Sequence, residues 1–176
     1  MKDRGAALAG GLALTLEALA CPVCLQSLAV SDAAPGALVC GARHTFNLAR
    51  AGYCSFAVGG AARHLSDTPA MVAARADFLA SGHYRLIADA VAAAVAAGLG
   101  DQPAAGPEPA GGGQARPLIL DLAGGTGYYL AAALDAAPDA RGLVVDLSRA
   151  AAKRAAACHP RAGALVADVW GRLPLR

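Results

Sequence analysis

Leu118-Ile119-Leu120-Asp121-Leu122-Ala123-Gly124-Gly125-Thr126-Gly127-Tyr128-Tyr129 is the stretch on which the fold of this 176-residue chain turns. A short apolar run ends in a carboxylate, enters a glycine-rich turn and continues into helix-forming residues. That is the strand, loop and helix start of a Rossmann-like sheet, in which ligands sit beyond the carboxyl end of the strand. Glycines in such a loop let the backbone approach a ligand closely, because no Cβ intervenes. A dinucleotide fingerprint places a third Gly or Ala three residues after Gly127, and Leu130 stands there instead. A phosphate loop needs Lys followed by Ser or Thr after its last glycine, and Tyr128 and Tyr129 follow instead.

What remains is Asp-x-x-x-Gly-x-Gly, formed by Asp121, Gly125 and Gly127, a pattern typical of proteins that bind S-adenosylmethionine. Further along, Gly142-Leu143-Val144-Val145-Asp146 reads as a second strand, ending in an acid about 20 residues after the loop, where ribose hydroxyls can be accepted. Ala164-Leu165-Val166-Ala167-Asp168 reads as a third, whose acid falls beside an adenine. The intervening helices are predicted at Gly127 to Ala137 and Ser148 to Cys158, with Ser148 as N-cap. Only three strands are then in hand, and parallel sheets are normally covered on both faces with their central strands paired. The strand carrying Asp121 is left with an open apolar edge. Either it pairs with another chain, a homodimer included, or this chain is a fragment of a larger ancestor.

Ahead of this region stand Cys21-Pro22-Val23-Cys24 and Cys40-Gly41-Ala42-Arg43-His44. Two thiolates two residues apart present both sulfurs to one ion, and the second pair does the same across a turn. A Cys₃His set closes a tetrahedral structural zinc site with no open position for chemistry. Pro22 and Gly41 favour the knuckle turns, and Pro35-Gly36 marks a hairpin tip between them. Zinc ligation, with apparent values of roughly 10–16 kcal/mol in small fingers, supplies much of the stability of so small a module. Cys54 and Cys158 lack paired spacing and read as small apolar side chains.

Residues 69–97 have helical composition broken at Ser81-Gly82, which predicts helices at Pro69–Ala80 and His83–Ala97. From Arg43 to Arg85 there are five arginines against two aspartates, with His44, His64 and His83 interleaved. That strip reads equally as an RNA-facing surface or as an ordinary solvated face. Asp101 to Arg116 is rich in Pro and Gly and reads as a linker or expanded loop. The expected organisation is an N-terminal extension at 1–20, a zinc-binding module at 21–60, connecting helices at 61–100, the linker at 101–116, and at 117–176 the N-terminal half of a Rossmann-like domain. The fold class is thus α/β.

A formal net charge of +2 is too small to argue for nucleic-acid binding by itself. Five cysteines, an odd number with a Cys-x-x-Cys pair, fit a reduced compartment and a metal site better than a disulfide framework. The cytoplasm is the expected location. The apolar run Gly5 to Ala20 has some features of an export signal, but Glu17 interrupts it, it is too short to span a bilayer, and Cys21 is better used as a ligand.

Cys21-Pro-x-Cys24, Cys40-x-x-x-His44-x-Phe46, Ala51-Gly52-Tyr53, Asp67, Met71, Ala74-Arg75, Phe78-Leu79 and Gly82-His83-Tyr84 occur in one order and spacing. So do Leu120-Asp121, Gly125-x-Gly127-Tyr128-Tyr129, Asp146-Leu147-Ser148 and Arg172-Leu173-Pro174. From Cys21 to the C-terminus the chain resembles the bacterial 23S rRNA (guanine-N1)-methyltransferases, the type that includes the tylosin-resistance enzymes. The resemblance implies a zinc-binding N-terminal domain, a Rossmann-like domain for S-adenosylmethionine, and as partner a 23S rRNA hairpin near the macrolide site. It implies Cys21, Cys24, Cys40 and His44 as zinc ligands, Tyr84, Gly125 and Thr126 as cofactor contacts, and Asp146 as the ribose-binding acid. Ala123 departs from the family, which usually has glycine there, and the family continues for roughly another hundred residues. The rival reading is a non-catalytic, zinc-stabilised RNA-binding remnant of such an enzyme. No residue is nominated as the acceptor of the guanine N1 proton.

Overall fold

Three parallel strands form the centre of the computed structural model, which describes residues 10–34, 36–57, 66–100 and 116–176. In chain order the elements are α1 (Gly11–Thr15), a 3₁₀ turn (Leu16–Ala18), β1 (Leu28–Val30), β2 (Ala37–Cys40), β3 (Thr45–Asn47), β4 (Cys54–Ser55), α2 (Pro69–Ala80) and α3 (Arg85–Gly100). They continue with β5 (Leu118–Leu122), α4 (Tyr128–Ala136), β6 (Arg141–Asp146), α5 (Arg149–Ala155) and β7 (Ala162–Val166). Pro35 at the predicted hairpin tip, Arg63 and His64 of the basic strip, and 101–115 of the predicted linker lie outside the described residues.

The predicted strands form, in the order β4-β7-β6-β5. The sequence reading counts three; the fourth, β4, comes from the N-terminal region and pairs parallel to β7 through Cys54 opposite Leu165. β7 is buried throughout and β6 at every residue but its last, as continuous apolar runs in a two-sided parallel sheet should be. β5 forms the other edge, and on it Leu120 and Leu122 are exposed. Helices α2 and α3 fall close to prediction. Thr68 caps α2 through its side chain and Pro69 opens it, while α3 starts two residues later than predicted because residues 81–84 form the connecting turn.

One face of the sheet packs against α4 and α5 through Leu130, Leu134, Val144, Ala152 and Val166. The other face packs against α1 and the β1–β3 module. Leu12, Leu19, Leu38, Phe46 and Phe56 share one buried cluster there with Leu143, Val145 and Leu165. The approach of α1 is tight: a Cβ on Gly11 would lie 2.1 Å from the Ala162 backbone, which only glycine tolerates. Arg141, nearly buried, anchors this contact by pairing with Glu17 at 2.7 Å and by donating to the Leu14 carbonyl. Residues 174–176 return to the same place, where Ala20 N–H donates to the Pro174 carbonyl and Arg176 N–H to that of Ala18.

The end of α4 depends on a residue from the next crossover. Arg161 donates to the carbonyls of Leu134 in the last turn of α4 and of Ala137 (2.7 Å) and Ala140 just beyond it, adding to the backbone N–H bonds that Leu134 and Ala137 already accept. Arg161→Ala is expected to cost about 2 kcal/mol, the scale of charge-assisted hydrogen bonds lost from a partly buried site. Urea denaturation checks this, and an unchanged midpoint would show that water replaces the guanidinium freely.

Candidate functional site

The turn after β5 is built from left-handed backbone. Ala123, Gly125 and Gly127 have φ of 56°, 58° and 76°. Alanine in this region costs roughly 1–2 kcal/mol, so the glycine-to-alanine departure at 123 places strain in the turn. Two close approaches fix the shape. A Cβ on Gly124 would lie 2.4 Å from the Asp121 carboxyl carbon, and one on Gly127 would lie 2.6 Å from Cys158 Sγ. Gly127 caps α4 without a side-chain bond.

Strand register brings two acids to this turn. Asp121 pairs with Val144, and Asp146 stands two residues beyond Val144 on the same face of the pleat. Asp146 is held firmly: its Oδ2 accepts from Gly125 N–H at 2.9 Å and its Oδ1 from Ser148 N–H at 2.8 Å. Asp121 is not, for its Oδ2 is buried without a hydrogen-bond partner. Burial first, and the charge of Asp146 second, push the Asp121 carboxyl above the ordinary carboxylate range. An unpaired acceptor beside a glycine turn is a site that a ligand bearing N–H or O–H groups would satisfy.

Gly125 joins Asp146 directly, and Thr126 follows it in the same turn. The described contacts of the other two candidate residues run elsewhere: Asp168 accepts from Trp170 N–H at 2.9 Å, and the Tyr84 ring packs edge-on against Phe78 with centroids 5.4 Å apart. A cleft of about 1460 Å³ opens between α2–α3 and α4–α5, lined by residues that include Val72, Leu79, Thr126 and Tyr128. It meets the turn at Thr126, but Asp121 and Asp146 do not line it, so the acids at the strand tips stand apart from this cleft. Sequence reasoning missed Arg75 as a site residue. This α2 side chain lies over the turn, its Cδ 3.9 Å from where a Cβ on Gly125 would sit, and pairs with Asp67 at 3.5 Å. Its place on a helix remote in sequence from the turn carries no motif.

On the other side of the molecule, Cys21, Cys24, Cys40 and His44 bring their ligand atoms within 4.8 Å of one another. Cys21 Sγ and Cys40 Sγ lie 3.6 and 3.3 Å from His44 Nδ1, and Cys24 Sγ lies 3.6 Å from Cys40 Sγ. Metal bonds of about 2.3 Å to sulfur and 2.0 Å to nitrogen put tetrahedral neighbours roughly 3.5–3.8 Å apart, so the four residues fit one ion. Each pair sits on a knuckle. Cys21 N–H donates to the Gln26 carbonyl and Cys40 N–H to that of His44, and each loop passes through a left-handed residue, Leu25 or Arg43. Burial opposes ionisation of Cys40, but hydrogen bonds with His44 and the neighbouring thiols outweigh it and bring the thiol down to about 6, favouring the thiolate a metal requires. Cys54 and Cys158 behave as the apolar side chains predicted: burial raises them to about 12 and about 11, with the Asp121 charge adding to the second.

A parallel sheet with a glycine turn and an acid at the tip of the adjacent strand defines a Rossmann-like binding domain, here joined to a cysteine–histidine cluster that can hold a metal. Over 170 residues, 91% of the chain, it is 49% identical to a Micromonospora griseorubida protein named "Putative 23S rRNA (guanine-N(1)-)-methyltransferase". Over 160 residues, 90% of the chain, it is 42% identical to the "23S rRNA (guanine(748)-N(1))-methyltransferase" of Streptomyces fradiae. The chain is a homologue of these named 23S rRNA (guanine-N1)-methyltransferases and, covering 54% and 51% of them, spans about half their length. No family model matches it. Among the described residues no helix is long and apolar enough to cross a membrane.

The state of Asp121 makes a stability prediction. A carboxyl raised in the folded protein disfavours folding while ionised, and that penalty fades as the pH falls through the raised value. Asp121→Asn is therefore expected to raise the melting temperature at pH 7, with the gain shrinking towards pH 4. A gain independent of pH would locate the effect outside the ionisation.

Proposed function

We propose that this chain carries the cofactor site and the metal-stabilised RNA-binding module of an S-adenosylmethionine-dependent 23S rRNA (guanine-N1)-methyltransferase. The observation that carries the reading is the joining of Asp146, through Gly125, to a turn whose other acid has one oxygen without a partner, in a chain homologous to proteins of that name. Asp146 keeps lone pairs for the ribose hydroxyls, and the Gly125–Gly127 backbone lies against the cofactor. Asp168 falls beside the adenine, and Tyr84 contacts the cofactor from the α2–α3 turn. When bound, S-adenosylmethionine supplies an activated methyl group that needs no metal. The protein's task is then alignment, which can contribute several kcal/mol.

Zinc held by Cys21, Cys24, Cys40 and His44 stabilises the module, since a closed Cys₃His set has no coordination position left for chemistry. Arginines of the 43–85 strip grip an RNA hairpin through phosphates and exposed bases. The protein acts in the cytoplasm, and macrolide resistance is a consequence to be tested by drug susceptibility.

Calorimetry of the full chain with S-adenosylmethionine is expected to give micromolar affinity, and incubation with a 23S rRNA hairpin should add one methyl group to guanine, read by mass spectrometry. Absence of heat with the cofactor would sink the cofactor site. Retained hairpin binding in that case would identify a non-catalytic RNA-binding remnant.

The zinc assignment predicts close to one equivalent of zinc per purified chain by elemental analysis. Strong chelation, or Cys24→Ser, should lower the melting temperature and release the ion. Metal-free protein of unchanged stability would rule the assignment out.

A further inference from the structure

We propose that Arg75 binds the α-carboxylate of the cofactor's methionyl group, with Asp67 holding the guanidinium in place. The inference rests on the cofactor reading above and assigns a residue to the end of the molecule that the ribose-binding acid does not reach.

The observations converge on Gly125. Its N–H is taken by Asp146 Oδ2 on one side. On the other, its missing side chain leaves a space whose near wall is Arg75, with Cδ 3.9 Å from the absent Cβ. Arg75 is fixed from behind by Asp67, at 3.5 Å from Nη2. Asp67 is fixed in turn because its carbonyl accepts from Ser148 Oγ at 2.9 Å, and Ser148 follows Asp146 closely in sequence. The α2 side chain is thus tied to the tip of β6 through two short links.

Charge supplies the second argument. Strand register sets the carboxyls of Asp121 and Asp146 on one face at the turn, so the place carries negative charge. A ligand presenting a carboxylate at that place needs a cation, and Arg75 is the guanidinium placed over the turn. One Nη faces Asp67, which leaves the other N–H groups of the fork for a planar carboxylate. The side chain is more than half exposed, so its removal should leave the fold intact.

The test compares S-adenosylmethionine with its decarboxylated analogue, which lacks only the carboxylate, by calorimetry on the full chain and on Arg75→Gln and Arg75→Lys. Wild type is expected to prefer S-adenosylmethionine about 10- to 100-fold, as one charge-assisted pair warrants. Arg75→Gln should lose that preference while holding the analogue as before, and Arg75→Lys should recover part of it. Loss of both ligands equally, an unchanged preference, or a defect confined to hairpin RNA binding would each overturn the assignment. Wild type binding neither ligand would overturn the cofactor reading and this assignment together.

Discussion

A single backbone-to-carboxylate hydrogen bond, Gly125 N–H to Asp146 Oδ2 at 2.9 Å, ties the turn after one strand to the tip of its neighbour. Beside it, Ala123 N–H donates to the Val145 carbonyl of the same neighbour and Gly127 N–H to the Gly124 carbonyl within the turn, whose left-handed residues include a strained alanine. With it, the loop that follows β5 and the acid that ends β6 move as one piece. The parallel register that sets Asp121 against Val144 decides that both acids reach the same face. A slip of one residue would turn them to opposite faces, because side chains alternate along a strand. Everything else at the site assumes that register.

The register is secured by burial at a distance from the site. β6 and β7 lie in the interior, and their two faces are covered by different parts of the chain. Helices α4 and α5 follow directly from the crossovers. The opposite cover comes from α1 and the β1–β3 module, brought in by residues far apart in sequence. The cysteine–histidine cluster is therefore part of the cover of the sheet rather than a separate appendage. Cys21 and Cys40 belong to the same buried cluster as Leu143 and Leu165, so an ion there would stiffen the layer that backs the sheet. Arg141 and the return of residues 174–176 to residues 17–20 fasten that layer at its edge.

How much of this could be read from the sequence follows from the range of each interaction. The three central strands, the α2–α3 pair and the ligand spacing were legible because local pattern controls them: apolar runs, Pro69, Ser148 and Cys-x-x-Cys. β4 was not, since two residues carry no periodicity and their partner lies more than a hundred positions away. Gly11 gave no sign of its contact with Ala162, because the glycine answers to backbone proximity rather than to a turn. In the sequence Arg75 stands out only as part of a family pattern. Its position over Gly125 arises from tertiary packing, and no spacing rule reports that. The open edge of β5 was anticipated from strand counting, and its exposed leucines agree.

That edge separates two demands that the proposed reaction makes. Holding a cofactor needs the tips of adjacent strands, a turn that admits it and a few charges, and β5, β6 and α2 bring these together within this chain. Presenting a guanine also requires a pocket for the base, and among the described residues no strand lies beyond β5 in the order β4-β7-β6-β5. In an open parallel sheet the ligand crevice forms where strand order reverses, and β5 is the strand beside which such a reversal would occur. The residues proposed to hold the cofactor lie within this chain, which spans about half the length of the relatives it matches. Cofactor affinity, proposed to rest on these residues, is physically separable from methyl transfer, which needs a bound guanine as well.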